Sequence, residues 1–103
     1  MRKQTKATNI PPKVKAAVYD RDKGRCIICG QPGDPVAHYI SRAQGGLGIE
    51  QNIVTLCWMC HQTYDQSHRR DEYRRYIKMY LQGKYPYWNE NKLTYRKGYS
   101  NAE

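Results

Sequence analysis

Residues 26–61 read CIICGQPGDPVAHYISRAQGGLGIEQNIVTLCWMCH. The stretch opens on Cys26-Ile27-Ile28-Cys29 and closes on Cys57-Trp58-Met59-Cys60, with His61 directly after the last cysteine, and it contains all 4 cysteines of the chain. A CxxC pair spans one knuckle or one helix turn, so its sulfurs converge, and two such pairs make a tetrahedral four-sulfur site. The spacing predicts that Cys26, Cys29, Cys57 and Cys60 hold one structural zinc ion. A rubredoxin-like iron site uses the same ligands, but nothing in the chain points to electron transfer. A closed all-thiolate site has no open coordination position, so any reaction must be carried by residues between the knuckles.

The rest of the chain needs such a staple. It has 103 residues, no Phe, 10 Tyr and 39% hydrophobic residues, with a mean hydropathy of −0.98. A domain this small sits near the lower limit for folding on an apolar core alone. Structural zinc in a small domain contributes about 10–16 kcal/mol of apparent binding energy, against a net stability of about 5–15 kcal/mol for a typical domain. The metal term is large enough to decide folding.

Charge is distributed unevenly. Residues 1–25 carry 8 Lys/Arg against Asp20 and Asp22, a net of +6; residues 26–68 carry Arg42 against Asp34, Glu50 and Asp65, a net of −2; residues 69–103 carry 9 Lys/Arg against Asp71, Glu72, Glu90 and Glu103, a net of +5. Basic flanks around a mildly acidic, His-containing centre suit a polyanion and metal chemistry performed on it. Solvation of helix faces accounts for most of the individual Lys and Arg residues. No apolar run approaches a membrane span, and the N-terminus has no signal-peptide apolar region, so short-spaced cysteines in a reducing cytoplasm favour metal over disulfides.

The local signals place the elements. Residues 1–10 are expected to be a disordered basic tail, and 11–103 a single domain. Pro11-Pro12 starts a helix over about 12–22, with Val14, Ala17 and Val18 at helical spacing and Gly24 as terminator. Pro35–Ile40 and Ile53–Leu56 read as two antiparallel strands around the glycine-containing loop Ser41–Gly48. A helix begins after Cys57. Tyr73, Tyr76, Ile77, Tyr80 and Leu81 follow the i, i+3, i+4, i+7, i+8 pattern of a core-facing stripe on a helix at about 69–82 ended by Gly83, before a basic tail. The fold class is α+β.

Ala37-His38-Tyr39-Ile40-Ser41-Arg42-Ala43-Gln44-Gly45-Gly46, then Asn52-Ile53-Val54-Thr55-Leu56-Cys57, then Cys60-His61 resembles the HNH endonuclease signature, in the variant flanked by CxxC pairs that occurs in phage and mobile-element nucleases. The resemblance implies a small ββα-metal fold of the treble-clef-like, His-Me finger kind, with core motif 26–66, a four-cysteine zinc site and flanking helices. It further implies a metal-dependent DNA endonuclease, nicking or cutting double-stranded DNA to leave 5′-phosphate and 3′-hydroxyl ends. One site cuts one strand per encounter, so a homodimer or a phage packaging partner would be needed for double-strand cleavage. The setting implied is the cytoplasm of a host cell.

The residues suit those roles. Neutral imidazole titrates in the range a general base needs, which suits His38. His61 at the helix start and Asp65, four residues on along the same face, are candidate ligands for a catalytic divalent cation (Mg²⁺, Mn²⁺, Ni²⁺ or Zn²⁺). Asn52 belongs with His38 and His61 in the catalytic set, either binding the metal or holding the His38 loop through its amide. Arg21, Arg25, Arg42, Arg69, Arg70 and Arg74 are candidates for contact with the DNA backbone, with simple solvation an equal reading of Arg42, and His68 is read as surface. One departure stands out: the family places Asp, Glu or His before the first His as a metal ligand, and this chain has Ala37. A non-catalytic zinc-finger DNA-binding module that kept the HNH fold is therefore the alternative function, with a protein-interaction zinc module a weaker third.

Overall fold

Leu56 and Asp34 stand opposite each other at one end of a two-stranded antiparallel hairpin, and His38 and Ile53 at the other, with an irregularity in register between Asp34 and Ala37. The computed structural model describes residues 3–95 of the chain, and the side chains of 6–95. Its elements are α1 (Lys3–Thr8), α2 (Pro12–Arg21), β1 (Asp34–His38), β2 (Ile53–Leu56), α3 (Trp58–Gln66) and α4 (Arg70–Lys84), with single 3₁₀ turns at Arg42–Gln44, Glu50–Asn52 and Glu90–Lys92. This is an α+β chain whose centre is the unit β1–β2–α3.

Each element has a local cause. Pro12 opens α2, where its missing N–H removes no helical bond. The four residues of β2 are all buried, as expected for a β-branched apolar run covered on both faces. Cys57 caps α3, its sulfur accepting from the Cys60 amide at 3.4 Å. The loop between the strands closes on itself at Gly46, whose N–H donates to Ser41 O at 2.8 Å. A β-carbon there would lie 1.7 Å from Ile40 O, so only glycine permits that approach.

The core lies between the hairpin and the two C-terminal helices. Ala37, Tyr39, Ile40, Val54, Leu56, Tyr64, Ile77, Leu81 and Leu93 form it together with Cys26, Cys57 and Cys60. The α4 helix differs from the sequence expectation in two ways. It continues through Gly83 to Lys84, because a single glycine weakens a helix by only about 1 kcal/mol. Along the expected stripe, Ile77 and Leu81 are fully buried, whereas Tyr76 is half-exposed. The buried stripe is narrower than the periodicity implies.

A third difference lies at the N-terminus. Where a disordered tail over 1–10 is expected, Lys3–Thr8 form a helix, and Thr8 is buried. The cause is a set of bonds into the hairpin loop, including Gly48 N–H to Ala7 O at 3.0 Å. The expected basic C-terminal tail lies, from Arg96 onward, outside the described residues. Just before it, Leu93 O and Tyr95 N bond the loop at Leu47 and Gly45.

A buried ion pair ties α2 to the rest. Arg21 Nε and Nη2 contact Asp22 Oδ1 and Oδ2 at 2.8 and 3.0 Å. Asp22 Oδ2 also accepts from Thr55 N at 3.0 Å, and Oδ1 accepts from the Tyr80 hydroxyl. The remaining Arg21 donors reach Glu50 O at 2.9 Å, Tyr85 Oη at 3.0 Å and Ile53 O at 2.8 Å. Burial pushes the Asp22 carboxyl up, but bonds from Arg21 and Tyr80 and the Arg21 charge outweigh it and hold the group below its ordinary value. A buried charge that loses its partner costs about 3–5 kcal/mol.

Asp22→Asn in the zinc-loaded protein is expected to lose stability on that scale in urea unfolding. Because the folded carboxyl titrates below its unfolded value of about 4, its contribution is complete above that pH and fades as pH falls through the folded value. The Asn variant is expected to lack that part of the acid dependence.

Candidate functional site

The knuckle after α2 carries Cys26 and Cys29, and the first turn of α3 carries Cys57 and Cys60. The Cys26 N–H donates to Gln31 O at 2.7 Å, and Ile27 N–H reaches across to Thr55 O of β2 at 3.0 Å, so the knuckle is fastened to the hairpin. The four sulfurs lie within 4.8 Å of one another, close to the edge of about 3.8 Å that zinc–sulfur bonds of 2.3 Å produce. Cys29 and Cys57 sulfurs are 3.5 Å apart, well beyond a disulfide bond of about 2.05 Å, and all four thiols are free. Burial pushes the Cys26 thiol up, but amides of Cys29, Cys57 and Ile28 outweigh it and bring the group to about 7. Burial and then neighbouring sulfurs push Cys60 well above the ordinary thiol range. Sulfurs this close together can all ionise only around a cation, which offsets their mutual repulsion. The cluster is built to bind a metal ion, its all-sulfur donor set fits zinc, and its closure makes the site structural.

A second region lies beside α3. His38 at the end of β1, His61 and Asp65 on α3, and Arg42, Arg70 and Arg74 line one cleft of about 540 Å³. His38 Nε2 lies 2.9 Å from Thr8 O. A carbonyl only accepts, so Nε2 carries the proton in this contact and Nδ1 keeps its lone pair. Burial first, then the charges of Arg42 and His61, lower the His38 pKa from its ordinary value, with the Thr8 carbonyl opposing. These effects favour the neutral ring. His61 Nε2 lies 3.5 Å from Asp65 Oδ2, so the i, i+4 spacing brings imidazole and carboxylate together.

Asn52 is fully buried. Its Oδ1 accepts from Ile40 N at 2.8 Å, and its Nδ2 donates to Ile40 O at 3.2 Å and Leu47 O at 2.9 Å. Of the two roles open from sequence, this geometry is that of loop-holding. Its amide faces backbone groups of the loop, and Asn52 is not among the residues that line the cleft. Ala37 is fully buried opposite Val54, so this position is part of the core.

The arginines divide. Arg42, Arg70 and Arg74 enter the cleft lining, with Arg74 also over the Tyr39 ring at 4.7 Å and 3.5 Å from Glu90. Arg21 is corrected from the nucleic-acid set, because its guanidinium is engaged inside the protein by Asp22, Glu50, Ile53 and Tyr85. Arg25 donates to Gly30 O at 3.1 Å, and Arg69 pairs with Glu72 at 3.1 Å; neither lines the cleft. His68 is exposed.

Three contributors escape the sequence reading. Tyr64 donates from its hydroxyl to Tyr39 O at 2.8 Å and His38 O at 3.1 Å, fixing the strand end that bears His38. Its place on the buried face of α3, four residues after Cys60, is the signal that was available. Asp71 also lines the cleft. The Thr8 carbonyl carries no sequence signal.

Residues 26–67 match the family model described as HNH endonuclease. The matched stretch runs from the first knuckle cysteine to the end of α3, and so contains both cysteine pairs, the hairpin, His38, Asn52, His61 and Asp65. Comparison with curated proteins finds no match for this chain.

Zinc loading of the reduced protein is expected to release more than one proton per ion near pH 7, because thiols ionise on binding, and chelation is expected to unfold the 26–67 region. Metal analysis, pH-stat titration and far-UV circular dichroism check this. Asn52→Ala is expected to keep zinc yet lose about 1–3 kcal/mol, because Ile40 N–H is left buried without a partner. Denaturant unfolding of the zinc form measures it.

Proposed function

We propose that this chain is a metal-dependent DNA endonuclease that hydrolyses phosphodiester bonds with His38 as general base. The observation that carries the reading is the meeting, in one cleft, of His38, the His61–Asp65 pair and three arginines, of which His38, Arg42, His61 and Asp65 lie within the stretch that matches the HNH family. Arg42, Arg70 and Arg74 hold the DNA backbone by charge, without reading sequence. His38 takes a proton at Nδ1 from the attacking water, while its Nε2–H stays on the Thr8 carbonyl.

His61 and Asp65 suit one divalent cation, as an imidazole and a carboxylate on one helix face, with water in the remaining positions. Held there, the cation would supply neutralisation of charge at the leaving oxygen. One such site cuts one strand per encounter, so the expected product is a nick with 5′-phosphate and 3′-hydroxyl ends, and a double-strand break needs a second copy or a partner. The burial of Ala37 favours a second reading, a DNA-binding module on the same fold without the reaction, because no side chain from that position reaches the cleft.

Supercoiled plasmid with Mg²⁺, Mn²⁺ or Ni²⁺ separates the two. The endonuclease reading expects conversion to the relaxed form, and a loss of about 10²–10⁴-fold in His38→Ala with zinc retained. The acid limb of the rate profile is expected to have its midpoint below the ordinary imidazole value of about 6.5, because a lowered pKa keeps the base neutral to lower pH. Salt-sensitive DNA binding without cleavage in any metal, or equal cleavage by both proteins, would remove it in favour of the binding module or a contaminant.

A further inference from the structure

Residues 7–9 precede α2 and lie outside the stretch that matches the family, yet they touch the loop around the base at three points. Thr8 O accepts from His38 Nε2 at 2.9 Å. Ala7 O accepts from Gly48 N at 3.0 Å. Asn9 Oδ1 accepts from the Arg42 guanidinium. Thr8 is 2% exposed, and polar residues are seldom so fully buried. The approach depends on glycine at position 48: a β-carbon there would stand 1.9 Å from Asn9 O and 2.6 Å from Asn9 C.

We propose that residues 7–9 are a positioning segment of the nuclease centre, in which the Thr8 carbonyl sets the tautomer and aim of His38 and the Asn9 side chain orients Arg42. The proposal rests on the endonuclease reading above. A carbonyl offers no proton, so the bond exists only with hydrogen on Nε2, and Nδ1 becomes the ring's one lone pair. The bond also acts as the reaction proceeds. When water gives its proton to Nδ1 and its oxygen bonds to phosphorus, the P–O3′ bond breaks, the 3′ oxygen leaves with the electron pair and takes a proton from solvent, and the ring, now imidazolium, holds Thr8 O through an Nε2–H bond that is charge-assisted and stronger. A contact that strengthens as charge develops lowers the barrier instead of merely tightening binding. The segment thus holds two side chains of one cleft, a base and a cation, by two adjacent residues.

Two full-length variants test this. Gly48→Ala drives the segment off by steric conflict. An ester in place of the Thr8–Asn9 amide, introduced by joining residues 1–25 to 26–103 at Cys26, weakens the Thr8 carbonyl as an acceptor without adding an atom. Ring ¹⁵N shifts report the His38 tautomer and its protonation with no cleavage needed, and plasmid nicking reports kcat and KM.

In the unsubstituted protein His38 is expected as the Nε2–H tautomer. In both variants that tautomer is expected to lose dominance and kcat to fall about 10–100-fold, with KM within about twofold and zinc content unchanged. An unaltered tautomer in both variants overturns the proposal, as does a loss of rate that follows only loss of zinc. An unsubstituted protein that fails to cleave while its His38 is held as Nε2–H, and released in the variants, sinks the endonuclease reading but leaves the contact standing.

Discussion

Four cysteine sulfurs drawn within 4.8 Å of one another are the constraint on which the remaining structure depends. They join the knuckle after α2 to the first turn of α3, so the start of β1 and the start of α3 are held at one point and the hairpin spans the interval. The core beneath is small and includes three of the cysteines themselves. A chain with a mean hydropathy of −0.98 has little else from which to draw the energy of ordering. The same clamp sets the direction of α3. Cys57 is both a ligand and the cap of that helix, so His61, one turn in, emerges beside the end of β1.

What the clamp does not specify is the loop between the strands, and here polar bonds take over. Asn52 holds Ile40 and Leu47 by its amide, Tyr64 holds the carbonyls of His38 and Tyr39, and Leu93 and Tyr95 hold Leu47 and Gly45 from the far side of the sequence. Each bond satisfies a backbone group that would otherwise be buried without water, a cost of about 1–3 kcal/mol apiece. The result is a loop with little apolar content and a defined shape. Arg21 and Asp22 solve a similar problem behind the hairpin, where their charges meet Thr55, Tyr80 and Tyr85 and fasten α2 to α4.

Much of this was legible beforehand, for reasons of scale. The paired cysteines, the proline at the start of α2, the β-branched run of β2 and the apolar period of α4 are all short-range patterns, and each produced the element its pattern implies. The residues that misled are those whose partners lie far away. Arg21 has the same sequence context as an arginine that grips phosphate, and only Tyr85, 64 positions on, turns it inward. Tyr76 has the right period for the core, but its ring stands at the edge of the stripe and is half in solvent. Lys3–Thr8 has the composition of a solvated tail, and becomes a helix end docked on the loop through main-chain atoms, which composition does not describe.

By itself the sequence determined the chemistry available: two sulfur pairs of metal-binding spacing, an imidazole and a carboxylate one helix turn apart, a histidine on a strand before a glycine loop, and basic flanks. Those follow from side-chain type and near-neighbour spacing, which local backbone geometry converts directly into faces and turns. The tertiary structure alone decided which groups meet. It put Ala37 in the core, turned the Asn52 amide onto the loop backbone, took Arg21 out of solvent, and brought the Thr8 carbonyl to His38. Each of those outcomes depends on a contact between distant segments, which forms only when the metal clamp and the buried polar bonds have brought those segments together.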